Sequence, residues 1–276
     1  MRSRSEGNLS YLEVGISQGT TRVFECRSVP PIRIINPRVA ASSCNVLITN
    51  YGGGMVDGDS VYLEIVCREG ARLNLGSVGN LQVYKSPIKG SSQAVKGLLE
   101  KDTLCVINTD PVVLHSGSRF EQKQEWNVHQ NSSLLVAEFV IAGRLARGER
   151  FAFGKYSSDI TVLIDERPFM VDRFEFRPED LDYHDPALFS GLACLLNVYL
   201  VGDVWAPLEK GLAQGIEHCR NSDSRTLAAI HAVRQNGYIF RALSTDRKSL
   251  TWVTDIVYEF LAGDDYLGFN PTERKY

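Results

Sequence analysis

The sequence contains few cysteines, and none of them belongs to a paired motif. The six are separated by 18 residues or more, and no C-x-x-C occurs. In a chain of 276 residues this spacing excludes both a cysteine-based zinc framework and a disulfide scaffold. We therefore expect reduced, buried thiols in a cytoplasmic protein. The cysteines are Cys26, Cys44, Cys67, Cys105, Cys194 and Cys219.

The sequence also lacks a basic stripe and a long apolar run, and we expect no secretory signal. The net charge is -3, the pI is near 6.0, and Lys and Arg are scattered, which argues against binding to a phosphate backbone. The longest apolar run, Leu192 to Val201, falls short of the ~20 residues of a membrane-spanning helix. No apolar run follows the charged segment Met1 to Gly7. We expect neither nucleic acid nor a membrane as a partner.

Common catalytic and cofactor motifs are absent as well. The sequence has no G-x-S-x-G, no phosphate loop and no H-E-x-x-H, and the glycines at 52–54 precede a strand rather than a helix. We predict no permanently bound cofactor. A carbohydrate-acting β enzyme remains an alternative, because two carboxylates such as Asp59 and Glu149 would be sufficient for it. A structural β-repeat interaction protein is a third interpretation.

Short alternating segments dominate the chain between residues 8 and 178. About one strand and one turn occur every ten residues, which predicts roughly fifteen strands and no convincing helix before residue 180. Either consecutive antiparallel pairing or a solenoid-like stack would accommodate them. We predict a mostly β fold, a β-helix-like stack of many short strands with a few helices near the C-terminus.

The pattern changes to mixed α/β over residues 187–263. The run Ala187 to Val201 is apolar around most of a helical wheel, whereas Pro207 to Cys219 and Thr251 to Gly263 are amphipathic with helical spacing. The turn Gln235 to Gly237 separates two strand-like runs and predicts a hairpin. We expect one domain over residues 1–276, with Trp205 and Trp252 as exposed anchors for a partner.

Two glycine-containing stretches stand at strand ends. In the first, Asn50 to Asp59, the residues Gly53, Gly54 and Gly58 indicate sharp turning or close backbone approach. Taken alone, this stretch is best explained by a wide hairpin loop with Asp57 and Asp59 as turn formers. The second stretch combines Gly143, Arg144 and Glu149.

Acidic residues also occur where a strand would normally carry apolar ones. Glu138 interrupts the apolar run Ser133 to Ile141, and burying it without a partner would cost on the order of several kcal/mol. Arg144 is a natural partner, which would make Glu138 structural. Alternatively, Glu138 faces an internal, water-filled passage that a divalent cation could follow. Asp172 invites the same two interpretations.

Taken in order, these segments resemble the urease accessory proteins called UreD, or UreH in some lineages. The resemblance extends over most of the chain. It is carried by Gly53 to Asp59, Glu69 to Ala71, Val83 to Ser86, Asp110 to Val112, Glu138 to Arg144, Gly148-Glu149, Phe169 to Arg173 and Phe240 to Asp246. Departures at Leu81-Gln82 and Thr109 indicate a divergent branch whose partners could differ.

The resemblance implies a scaffold chaperone rather than an enzyme. Such a protein binds apo-urease and recruits a UreF-type accessory protein and, through it, a UreG-type GTPase, with a dimer among the implied assemblies. The resemblance further implies an internal tunnel for transient nickel. Asp59, Glu138 and Asp172 match the acidic positions expected along or near it, and carboxylates suit weak, exchangeable binding of such an ion.

Overall fold

A computed structural model of the chain describes residues 9–37, 41–180, 185, 191–221 and 226–271. Over these residues the chain forms eighteen strands and two α-helices. The strands wind into a β-solenoid of about 4 turns, which confirms the predicted β-helix-like stack. The fifteen strands that end before residue 180 agree with the number expected from the sequence.

The element bounds follow the chain in order. The strands of the solenoid and its N-terminal extension are β1 (Ser10–Ser17), β2 (Thr20–Arg27), β3 (Ile32–Ile35), β4 (Cys44–Asn50), β5 (Gly54–Met55), β6 (Ser60–Cys67), β7 (Arg72–Ser77), β8 (Leu81–Val83), β9 (Ser91–Leu99), β10 (Leu104–Asn108), β11 (Val112–Leu114), β12 (Arg119–Val128), β13 (Ser133–Ile141), β14 (Lys155–Ile164) and β15 (Arg167–Phe176). The C-terminal elements are β16 (Cys194–Val201), α1 (Ala206–Asn221), β17 (Thr226–Arg234), β18 (Gly237–Ser244) and α2 (Thr251–Leu261).

Successive turns of the solenoid add strands to two sheets. Sheet A has the order β15-β14-β12-β9-β6-β1-β2, and sheet B has the order β17-β18-β16-β13-β10-β7-β4-β3. A short third ladder of β5, β8 and β11 closes one side and joins sheet B through β13. Within the solenoid the strands of each sheet run parallel, because each turn repeats the direction of the one before.

The turns stack in register, so equivalent side chains form ladders. In sheet B, Cys44 pairs with Leu73, Leu73 with Cys105, and Cys105 with Leu134. All four are buried in the solenoid interior. A single turn could not bury its apolar face alone, and stacking the turns produces one continuous core.

Antiparallel strands extend the solenoid beyond its parallel part. At the first turn, β3 pairs with β4, and the β1–β2 hairpin joins sheet A through β1, which runs parallel to β6. At the last turn, β15 pairs with β14, and β16, β18 and β17 follow β13. These additions cover parallel strands that would otherwise present unpaired edges.

The two helices pack on the outer face of sheet B. Leu208, Leu212 and Ile216 of α1, and Val253 and Val257 of α2, are buried there against strand residues. Strand β13 is therefore covered on both faces, as its nearly continuous apolar run predicted. No helix in the described part of the chain is long and apolar enough to span a membrane.

Several local predictions are confirmed. The β1–β2 and β17–β18 hairpins, α1 and α2 all occur where the sequence patterns place them. All six cysteines are free thiols, but only four are buried, since Cys26 is exposed and Cys219 is partly exposed.

Two of the secondary-structure predictions are wrong. The helix expected over Ala187 to Val201 is strand β16 from Cys194 onward, while residues 187–190 lie outside the described residues. Strand β16 packs against a hydrophobic core on each of its two faces, so apolar residues occupy both sets of alternating positions. Its sequence therefore lacks the alternation typical of a strand and resembles that of a buried helix. The glycine-rich stretch is not a hairpin loop either, because β4 and β6 belong to different sheets and β5 lies between them.

The expected role of Trp205 is also wrong. Its side chain is fully buried among α1, α2 and sheet B, and its indole N–H donates to the Val201 carbonyl over 3.0 Å. Trp252 is partly buried against Phe240. Neither indole projects as a free anchor for a partner.

Trp205→Ala should lower the free energy of unfolding by about 4 kcal/mol, because it leaves a large cavity in the outer core. Urea denaturation followed by far-UV circular dichroism measures this change. The neighbouring Val204, which is 37% exposed, supplies the control, and Val204→Ala should have little effect. Unchanged stability in Trp205→Ala would contradict the burial of this side chain.

Candidate functional site

A polar layer divides the interior of the solenoid. One apolar cluster, which includes Trp126 and Leu134, fills one side, and another, which includes Phe120 and Tyr156, fills the other. Between them lies a cavity of about 240 Å³ that carries Glu138 in its wall. Polar side chains from sheet A face it, among them Gln93, Gln122 and Gln124.

Among the described residues, Glu138 accepts hydrogen bonds only from neutral groups. The Gln122 and Gln124 amides donate to Oε1 over 2.7 and 2.9 Å, and the Ser158 hydroxyl donates to Oε2 over 2.9 Å. The residue is 5% exposed. Its strand β13 projects it inward from sheet B, and the three donors project inward from β12 and β14 of sheet A.

Burial raises the pKa of Glu138 to about 7, and the nearby Asp172 carboxylate contributes to the increase. The hydrogen bonds from Ser158, Gln124 and Gln122 act in the opposite direction, because they stabilise the ionised form. The carboxyl group can therefore change its protonation state near neutral pH.

The predicted Glu138–Arg144 pair is wrong. Arg144 is bound to Glu149 instead, with its Nε donating to Oε2 over 2.8 Å and its Nη2 also bonded to the carboxylate. The chain leaves sheet B after Ile141, so Arg144 lies in the corner beyond the strand and not beside Glu138 in the interior.

The neutral partners of Glu138 were not predicted, although the sequence carries a signal for them. Strand β12 alternates, and Phe120, Trp126 and Val128 occupy its buried phase. Gln122 and Gln124 point to the same face of the strand, so polar side chains occupy positions where apolar ones are expected. Two polar residues at buried positions of one strand, opposite a buried glutamate, indicate a polar layer in the interior.

Asp172 lies near this layer on β15. Its Oδ2 accepts hydrogen bonds from the Tyr199 hydroxyl over 2.6 Å and from Arg241 Nη2 over 2.7 Å. Asn197 pairs with Glu138 across sheet B, and its fully buried side-chain amide has no hydrogen-bond partner among the described residues. An orphan buried amide of this kind is usually satisfied by ordered water.

Asp59, the third predicted passage residue, lies elsewhere. Its Oδ2 accepts a hydrogen bond from the Val56 backbone N–H over 2.8 Å, in the turn between β5 and β6. The lining of the interior cavity does not include it. Next to it, Asp57 accepts from the backbone of Lys89 and Gly90, both over 2.8 Å. Both aspartates therefore act as turn formers, and a nickel role for Asp59 stays a prediction.

Both glycine motifs contain a close approach between two backbone segments. Gly54 begins β5, and a Cβ there would lie 2.2 Å from the Gln82 carbonyl oxygen of the next turn. Gly143 has a φ of +130°, and a Cβ there would lie 2.4 Å from the Glu149 carbonyl oxygen. Close backbone approach thus requires glycine at both positions. Gly53 and Gly58 have positive φ within the first motif.

Arg144 and Glu149 fix the corner of the last turn. The Arg144 guanidinium lowers the pKa of Glu149 to about 2, and the Ser116 backbone N–H also favours the ionised form. A glycosidase acid needs a raised pKa, so this environment does not favour Glu149 as the general acid of a two-carboxylate mechanism.

The arrangement offers oxygen ligands but no closed metal cage. Across the described ranges, no group of three or more His, Cys, Asp and Glu side chains converges to hold a metal ion. The lining of the interior cavity contains carboxylate, amide and hydroxyl oxygens, and no cysteine or histidine among the residues described. Such oxygen ligands suit weak, exchangeable contact with a divalent cation.

Fold and site together define a β-solenoid protein with a buried, titratable carboxylate in an interior cavity. The profile of the UreD urease accessory protein matches residues 6–274. The chain belongs to the UreD urease accessory protein family.

Curated relatives agree with this assignment over most of their lengths. A urease accessory protein UreD of Cytophaga hutchinsonii is 29% identical over 96% of this chain and 97% of its own length. Another UreD, of Sorangium cellulosum, is 27% identical over 98% and 84% of the respective chains. A urease accessory protein UreH of Helicobacter pylori is 21% identical over 80% and 82%.

The raised pKa of Glu138 predicts a pH-dependent stability. The folded protein holds this proton more tightly than the unfolded chain, in which the pKa is near 4.5. The stabilisation is therefore complete below about pH 4.5 and is lost as the pH rises through about 7, by on the order of 3 kcal/mol. Glu138→Gln should remove this dependence, which urea denaturation at pH 5, 6.5 and 8 would show.

The exposed Glu25 provides the control for this experiment. In Glu25→Gln, the free energy of unfolding should change with pH between 5 and 8 as it does in the unmodified chain. Parallel stability curves for Glu138→Gln and the unmodified chain would refute the shifted titration.

Proposed function

We propose that this protein is a cytoplasmic urease-maturation chaperone that works by protein–protein contact. It binds apo-urease and recruits a UreF-type accessory protein and, through it, a UreG-type GTPase. Nickel is its transient cargo and passes through the solenoid interior toward the urease active site. The names of its relatives, all urease accessory proteins, support the maturation role.

One observation supports the nickel route above others: a buried carboxylate faces an interior cavity and has no cationic partner within the part of the chain that the structure describes. Glu138 is bonded to two amides and a hydroxyl, which leaves its charge available to a passing cation. An arginine at the same place would neutralise the carboxylate and fill the space, as Arg144 does for Glu149. The pKa near 7 lets the group release its proton when a cation arrives.

Asp172 extends the same proposal. It lies close enough to Glu138 to raise the pKa of that group, and its own charge is shared between Tyr199 and Arg241. The orphan amide of Asn197 lies beside Glu138 and supplies a further polar contact. We propose that Glu138 and Asp172 are successive transient binding sites for the ion.

The primary experiment compares cells that express urease subunits and the remaining accessory proteins, with and without this chain. The proposal expects urease activity and urease-bound nickel to collapse together in its absence. Normal maturation without the chain would refute the proposed function. It would also give new weight to the carbohydrate-acting enzyme or to a structural repeat protein.

In the same cells, Glu138→Gln should lower the nickel content of purified urease at least fivefold. The substitution preserves the shape of the side chain but removes the charge that attracts the ion. Co-purification of urease with the accessory proteins should stay unchanged. The matched control is Asp102→Asn, an exposed aspartate in the turn after β9.

If Glu138→Gln changed only thermal stability and left urease nickel at the control level, the passage hypothesis would fail at this residue. The structural interpretation of Glu138 would then be the correct one.

A further inference from the structure

The interior cavity reaches the surface where the strands of sheet B end. Its lining includes the loop residue Val78, which is 55% exposed, together with Asn80 and Asp110. A second cavity of about 130 Å³ lies between sheet B and α2, and Thr109 and Asp110 line both spaces. The segment after β10 therefore separates an inner cavity from an outer one.

Asp110 is the carboxylate at this boundary. Its side chain is 8% exposed, and its Oδ2 accepts a hydrogen bond from the Ser77 hydroxyl over 2.9 Å. The Asp110 backbone N–H donates back to Ser77 Oγ over 2.7 Å. This reciprocal contact fixes the carboxylate to the neighbouring turn while it lines both cavities.

Arg247 reaches the same boundary from the segment between β18 and α2. Its Nη2 lies 3.8 Å from Asp110 Oδ1, and its Nη1 donates to Asn80 Oδ1 over 3.5 Å. The guanidinium side chain is 54% exposed. Long contacts and high exposure make this ion pair weak and easily exchanged.

We propose that Asp110 and Arg247 form a cation-exchange mouth of the interior cavity. Asp110 is a binding site for a divalent cation, and Arg247 is the counter-ion that the cation displaces. That this cation is nickel rests on the proposed function; the exchange itself does not.

Charge and burial support this assignment. The fixed Asp110 carboxylate attracts a cation into a partly desolvated opening, where electrostatic attraction is stronger than in bulk water. The Arg247 guanidinium repels cations until it moves away, and its exposure allows that movement without unpacking the core. The two residues have opposite effects on the entry of a positively charged molecule and little effect on a neutral one.

A thiol placed inside the cavity measures this selectivity directly. Val95 is 8% exposed and lines the cavity, so Val95→Cys introduces a reporter with almost the same volume. The reporter protein is the full chain with Val95→Cys, Cys26→Ser and Cys219→Ser. The last two substitutions remove the two thiols that are not buried. A parent without Val95→Cys corrects for the remaining cysteines.

The rate of modification by cationic 2-aminoethyl methanethiosulfonate is divided by the rate for neutral methyl methanethiosulfonate. Arg247→Gln should raise this ratio about tenfold, and Asp110→Asn should lower it about fivefold. The controls Arg220→Gln, on the exposed side of α1, and Asp102→Asn change the net charge equally away from the cavity. In both controls the rate ratio should stay within about twofold of the value for the reporter protein without a further substitution.

Ratios that match the controls in either variant would overturn the proposal, because exchange requires both residues. An equal rise in the neutral rate would also overturn it, since the cavity would then have opened rather than changed its selectivity.

The same two variants in the urease maturation assay test the identity of the cation. Asp110→Asn should lower urease-bound nickel at least threefold with accessory complexes intact. Normal nickel despite changed thiol ratios would exclude nickel from this mouth. The maturation role itself would fail only if urease matured without the chain.

Discussion

In-register stacking of parallel strands is the constraint on which this structure depends. Because each turn lies directly on the next, one residue position in every turn contributes to the same level of the interior. Gln93, Gln122 and Ser158 are paired in this way across sheet A, and Glu138 faces them from sheet B. A few polar residues at inward-facing positions of successive strands thus form a continuous polar layer inside an apolar core.

Two glutamates show how strongly their surroundings decide their chemistry. Glu149 lies in a corner against an arginine and has a pKa near 2, whereas Glu138 lies in the interior among neutral donors and has a pKa near 7. The first is a permanently charged structural partner. The second is buried at a cost in stability, and a fully apolar layer at the same level would fold more stably. Retaining the acid is easier to explain by a role in binding than by a role in folding.

The sequence predicted the fold class because its signals are local. Strand alternation, the hairpin turns and the amphipathic helices depend on neighbouring residues, and the inward acid Glu138 was visible as a break in an apolar run. Partners across the fold were not predictable in the same way. The Arg144 assignment used proximity along the chain, although a turn directs that arginine into a corner. For β16, burial on both faces removed the periodicity that separates a strand from a helix.

The C-terminal segment contributes more than a cover for sheet B. Arg241 of β18 binds Asp172, and Arg247 after β18 lies against Asp110, so one short segment supplies the counter-ions of two solenoid carboxylates. The same segment continues into α2, which packs on the outer face of sheet B. Any displacement of α2 would therefore act on the outer face of sheet B as well as on the Arg247–Asp110 contact. The outer helices and the interior cavity are in this way connected both through sheet B and through the Arg247–Asp110 ion pair.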